Sequence, residues 1–239
     1  AAPWRLDVDV VPFPTPAYRS RTTLSATREL IALSVVLFFA YVAGQAAGGV
    51  VAEREHRLLE AMKLMGLRDG PRFAAHVLGA VPAFALYGLE FAVALSFGVF
   101  TRSSALLVCL LFLLFGTAAG TMALCASALF DAAKTASIAV AVGIFALSRL
   151  SIQGLWACLL PPVALMQGLA RVVELELADV GLRPANLWEE LGFPHSAGHV
   201  MVLLALDVPF YLLLWAYLER VVPHGFGATA RPWYRPCAG

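Results

Sequence analysis

The chain has 239 residues, of which 60% are hydrophobic and only 14% charged, with a mean hydropathy of +0.78. A soluble domain of this size carries about a quarter charged residues, so a water-soluble globular body is excluded. The formal net charge of +1 gives no basis for a nucleic-acid partner.

Residues 1–28 are polar and dotted with Pro3, Pro12, Pro14 and Pro16, which reads as an extended lead-in rather than a helix. Five long apolar stretches follow: Leu30–Val51, Phe73–Phe100, Ser104–Phe130, Ala136–Leu169 and Val200–Leu218. Each reaches the roughly 20 apolar residues that a helix needs to cross a bilayer. Backbone polar groups in hydrocarbon must pair within their own segment, so these stretches are predicted to be helices of an all-α transmembrane bundle, 29–222. The first stretch ends in EREHRLLEAMKLMGLRDGPR, where Leu58, Met62 and Met65 recur at helical spacing beside Leu59, and Arg57, Glu60 and Lys63 take other faces. A short amphipathic helix, closed by Gly66 and by Gly70-Pro71, is predicted here.

The second stretch carries Glu90. The fourth is too long for one crossing and is interrupted by Arg149, Gln153, Gly154 and Pro161-Pro162. A membrane helix to about Leu147 is predicted there, then a broken pair of short helices, 151–169, that dips back into the bilayer edge. An acidic loop from Glu174 to Glu190 leads to the last stretch, which holds Asp207 and Pro209. The tail 223–239 is Pro/Gly-rich. An odd number of spans and a first residue other than Met read as a piece of a longer polypeptide, with at least one helix preceding it.

If loops alternate sides, nine Lys/Arg (Arg54, Arg57, Lys63, Arg68, Arg72, Lys134, Arg220, Arg231, Arg235) face seven (Arg5, Arg19, Arg21, Arg28, Arg102, Arg171, Arg183). The positive-inside rule then places the amphipathic helix in the cytoplasm. Cys109, Cys125 and Cys158 lie within apolar stretches and Cys237 near the end, a spacing that suits neither a disulfide framework nor a metal site. Pro194 and Gly198 favour a loop over the helical turn that would bring His195 and His199 together on a metal. Phosphate-cradling Gly-x-x-x-x-Gly-Lys-Ser/Thr, His-Glu-x-x-His and Gly-x-Ser-x-Gly motifs are all missing from the sequence. Catalytic, cofactor-binding and metal residues are therefore not expected in this segment. Glu90 and Asp207 are ionisable groups at membrane depth and so candidates for a substrate path, or else for a buried hydrogen bond or a wet surface position. Arg149 fits the interface, where its stem can snorkel. Gly44-x-x-x-Gly48 and Gly116-x-x-x-Gly120 are small-residue stripes suited to close helix packing, within the chain or against a second half.

The loop EREHRLLEAMKLMGL, directly after a span, resembles the cytoplasmic signature of subfamily A of the ABC transporters. SALFDAAKTASIAVAVG (127–143), WAYLERVVPHGFGATARPWY (215–234) and PFPTPAY (12–18) resemble further anchors of that subfamily in the same order. The match is to spans two to six of the first transmembrane half. The resemblance implies an ATP-driven lipid transporter, with ATP and Mg belonging to the parent protein and none to this segment. It implies a coupling helix at 53–67, carrying Glu53, Glu55, Arg57, Leu58, Leu59, Met62, Lys63 and Met65, that seats on a nucleotide-binding domain of the same parent chain. It also implies a re-entrant hairpin at 151–169, a linker at 223–239, and membrane lipids and a second transmembrane half as partners.

Overall fold

A computed structural model describes residues 22–66, 69–150, 154–189 and 196–222. Among these residues every regular element is helical. In chain order they are α1 (Thr22–Glu55), α2 (Leu58–Leu64), α3 (Asp69–Gly98), α4 (Ala105–Ser127), α5 (Ala133–Ser148), a 3₁₀ turn (Leu155–Leu159), α6 (Pro161–Leu177), a second 3₁₀ turn (Pro184–Asn186) and α7 (Ala197–Val221).

Four helices, within α1, α3, α4 and α7, are long and apolar enough to cross a membrane. The remaining expected span corresponds to a shorter apolar helix, α5, at the start of the fourth stretch. It has 16 residues, fewer than the roughly 20 of a usual crossing. Other boundaries also move. α1 already includes Thr22–Arg28, where an extended lead-in was expected, and it continues past Val51 to Glu55. The short helix after it is Leu58–Leu64, not 53–67. Gly70-Pro71 opens α3 instead of closing α2, since proline is well suited to a first helical turn where its missing N–H has no partner to lose. The expected pair at 151–169 becomes one 3₁₀ turn and a 17-residue helix that runs on to Leu177, into the stretch read as an acidic loop. Pro161 and Pro162 sit in its first turn, and Leu160 is held extended ahead of them (φ −101°, ψ 108°).

α4 lies at the centre, packed on α1, α3, α6 and α7. Phe39, Phe84, Leu111, Phe112, Phe115 and Trp215 are fully enclosed. Between α1, α3 and α4 the rings of Phe38, Phe39, Phe84, Tyr87, Phe91 and Phe115 stack in edge-on and tilted pairs, the closest 4.7 Å between centroids. Two crossings depend on glycine. A Cβ on Gly116 would strike the carbonyl of Phe84, and one on Gly88 the carbonyl of Phe112, so α3 and α4 meet backbone to backbone. A Cβ on Gly120 would press on the Phe84 ring, and Gly44 and Gly48 lie against Ser137 of α5. Both stripes thus pack within this chain.

The elements have two common ends. At one end meet the C-termini of α1, α4 and α7 and the N-termini of α3 and α5, through Arg54, Arg72, Glu219, the Ser127 carbonyl and the Ala133 N–H. At the other, the α3–α4 turn meets the segment after α6: the Ser104 N–H donates to Leu182 O at 2.8 Å and the Leu182 N–H to Ser103 Oγ at 3.0 Å. The chain leaves α5 and completes α6 at this second end. Between them it dips inward far enough for the Tyr211 hydroxyl, in the middle of α7, to donate to Leu159 O at 2.9 Å.

Candidate coupling interface

α1 breaks at His56-Arg57 because Arg57 takes a left-handed conformation (φ 56°), which a non-glycine residue adopts only at some cost. One short helix later, Gly66 (φ 93°) makes a second left-handed turn, here without a side-chain penalty. α2 therefore hangs between two pivots. Leu58 and Leu64 on it, and Met65 just after it, do not cover the bundle. Leu58 is 50% exposed, Leu64 90% and Met65 80%, and Met62 is half-buried. Leu59 and Lys63 also lie on α2.

Glu53 and Glu55, expected in this helix, instead end α1. Glu53 Oε2 is 3.2 Å from His76 Nε2 on α3. Glu55 Oε2 accepts from the Ala133 N–H at 2.8 Å and so stands at the first turn of α5, where the orphan N–H groups and the helix dipole favour an anion.

Flanking α2 in sequence, Arg54 and Arg72 belong to a cluster that sequence reasoning missed. Arg54 Nη2 is 2.9 Å from Glu219 Oε1 and Arg54 Nη1 donates to Ser127 O at 3.1 Å. Arg72 Nη2 also pairs with Glu219 Oε1. The signal available in the sequence was three charges at the same-side ends of three spans; their convergence is a tertiary fact.

The intramembrane candidates separate. Glu90 points out from the exposed face of α3 rather than into the bundle. Asp207 is wholly buried on α7, and neither of its oxygens has a hydrogen-bond partner among the described residues. Arg149 caps the C-terminus of α5 with its side chain exposed. At the end opposite α2, Glu176 is fully buried and accepts from Arg102 N–H (2.8 Å), Ser103 N–H (3.1 Å) and Ser103 Oγ–H (2.7 Å). The described residues include no cluster of three or more His, Cys, Asp or Glu placed to hold a metal. His199 bonds instead to Ser196 Oγ through Nδ1 (2.7 Å), and His195, Arg68, Cys237, 1–21 and the tail from 223 fall outside the described residues.

Residues 6–217 match the model of a family described as ABC-2 family transporter protein. The chain belongs to this family. With its four apolar crossing helices it is a multi-pass integral membrane protein. It is 32% identical over 214 residues to the cholesterol transporter ABCA5 of Mus musculus, covering 84% of this chain and 13% of that protein. It is 29% identical over 257 residues to the phospholipid-transporting ATPase ABCA3 of Homo sapiens, covering 96% of this chain and 15% of that protein. Human ATP-binding cassette sub-family A member 13 aligns at 25% over 238 residues, 93% of this chain and 5% of that protein. The chain thus spans a small part of the length of these relatives and corresponds to an ABC-2 membrane domain within them.

Proposed function

We propose that this domain forms part of the translocation path of an ATP-driven phospholipid or sterol transporter and takes its drive through α2. The observation that supports this best is α2 itself. It is a short helix on two left-handed pivots, presenting Leu58, Leu64 and Met65 outward at the end of the bundle where α7 also finishes. Exposed apolar residues rimmed by charge suit a seat on another domain, here a nucleotide-binding domain of the same parent chain, which would hold ATP and Mg outside this segment. That end is the cytoplasmic one by the excess of Lys and Arg. The 3₁₀ turn and the start of α6 are the re-entrant element, dipping from the opposite face. Ala157 and Cys158 of the turn are buried while Trp156 faces outward, and the Leu159 carbonyl freed by the break accepts from the Tyr211 hydroxyl, which is how broken backbone at membrane depth is tolerated. Glu90, on the outer face of α3, is placed to meet lipid or the second transmembrane half. Asp207, enclosed between helices, is a polar point inside the half. The names of the relatives, a cholesterol transporter and a phospholipid-transporting ATPase, support lipid as the cargo.

The test uses the full-length protein in proteoliposomes with fluorescent phospholipid and sterol. Leu64→Asp and Met65→Asp alter side chains that contribute little to the fold, yet place a charge in the apolar seat. ATP hydrolysis should persist while lipid moved per ATP falls about ten-fold or more, since an unpaired charge buried at an interface costs several kcal/mol. Normal coupling in both variants would remove α2 from this role. Transport of neither lipid class by the wild type would favour a non-lipid cargo.

A further inference from the structure

Arg54 lies at the end of α1, before the first pivot, and Arg72 in the opening turn of α3, after the second. They are the two feet of the loop that carries α2. Both guanidinium groups reach the same oxygen, Oε1 of Glu219, near the end of α7. The second arm of Arg54 holds the carbonyl of Ser127 at the end of α4. The side chains of Arg54, Arg72 and Glu219 are 9%, 10% and 17% exposed. Exposed ion pairs contribute little, but this one is withdrawn from water. A planar guanidinium fork fixes direction as well as charge. The pivots at Arg57 and Gly66 interrupt helical continuity on both sides of α2, so neither α1 nor α3 can fix its orientation by simple extension. The feet then decide where α2 stands.

We infer that Glu219 is a clamp: a positioning residue whose single carboxylate binds both feet of the α2 loop to the end of α7, so that α2 and α7 move as one body. This rests on the proposed coupling role of α2 and names the group that relays its displacement. α2 would otherwise act on α1 and α3 alone. With the clamp, a push on α2 also reaches α7, the helix that bears Tyr211 against the inward dip at Leu159.

The experiment uses the full-length protein in lipid nanodiscs, in a cysteine-free background. Spin labels at Ala61→Cys on the exposed side of α2 and Tyr217→Cys on α7 report their separation by pulsed electron-electron resonance. Lipid moved per ATP is measured in parallel. The unaltered node should give one narrow distance distribution. Glu219→Gln removes the charge that holds the feet and should broaden that distribution while lowering lipid moved per ATP about ten-fold, the scale of a lost charge-assisted hydrogen bond. Arg72→Lys keeps the charge but loses the fork. It should broaden the distribution in the same direction to a smaller extent, so a folding failure of Glu219→Gln leaves the question open to measurement. A distribution unchanged in the folded variants overturns the clamp, whatever transport does. A broadened distribution with unchanged coupling leaves the clamp standing and refutes the coupling role of α2.

Discussion

Glu176 offers the sharpest quantitative test of how the dipping segment is held. Replacing it by Ala removes the acceptor for the Arg102 N–H, the Ser103 N–H, the Ser103 hydroxyl and, at 3.4 Å, the Thr101 hydroxyl. The Ser103 hydroxyl proton is free to rotate about its C–O bond, and its oxygen still accepts from Leu182 N–H at 3.0 Å. The two backbone donors have no such freedom, and each donor left unpaired costs about 1–3 kcal/mol. The sum is about 4 kcal/mol, or a fall of about 8–16 °C in unfolding midpoint at about 2–4 °C per kcal/mol for a domain of this size. The buried thiol of Cys158 lies in the 3₁₀ turn, bonded to Gln167 Oε1 at 3.1 Å, and serves as reporter. With Cys158 the only cysteine retained, its exposure to a thiol-reactive dye is followed against temperature in detergent. Glu176→Gln keeps one acceptor oxygen and should lose about half as much. A shift below about 2 °C for Glu176→Ala would show that packing, not this carboxylate, anchors α6, and the reasoning would be wrong.

Gly116→Leu should impair folding or lower the midpoint by several degrees, because its Cβ meets the Phe84 backbone; Gly143→Leu, with open space around it, should not, and equal effects would refute close approach as the cause. A cysteine replacing the exposed Ala185, in a cysteine-free background, should react with an impermeant maleimide added to intact cells; reaction only after permeabilisation would invert the orientation. Asp207→Leu should leave the unfolding midpoint unchanged or raise it, since the carboxyl it removes is buried without a hydrogen-bond partner among the described residues; a drop of more than about 5 °C would reveal an interaction that supports the fold.

Much of the architecture was legible because hydrocarbon restricts what a backbone can do. The all-helical spans, the end of α5 next to Leu147, the stop at Gly66 and the extended Leu160 before Pro161 all follow from local chemistry. The misses have a common physical origin: charged residues read as exits from the bundle found partners instead. Arg171 and Glu176 marked an expected loop, yet both are buried within α6. Arg171 donates to Glu189 O at 2.8 Å and Glu176 accepts from the α3–α4 turn, so the helix continues to Leu177. Glu53 and Glu55 extend α1 for the same reason, held by His76 and the Ala133 N–H. For Glu90 the apolar neighbourhood along the chain left several surroundings open, and the helix turns that side outward. Of the candidate interface, α2 was legible from its spacing, but Glu219 was not, since no pattern along a chain relates position 54 to 72 and 219.

The brevity of α5 has a consequence for the surrounding membrane. Its 16 residues rise about 24 Å, against a hydrocarbon thickness of about 30 Å. Ile138 and Val142, exposed at 66% and 60%, face outward from it. A bilayer adjusts to a short apolar flank by thinning, at a cost of a fraction of a kcal/mol per Å. Full accommodation by thinning would draw the leaflets together beside α5 by up to about 6 Å. A bilayer thinned there would present to any polar group a narrower hydrocarbon barrier than the undisturbed membrane does.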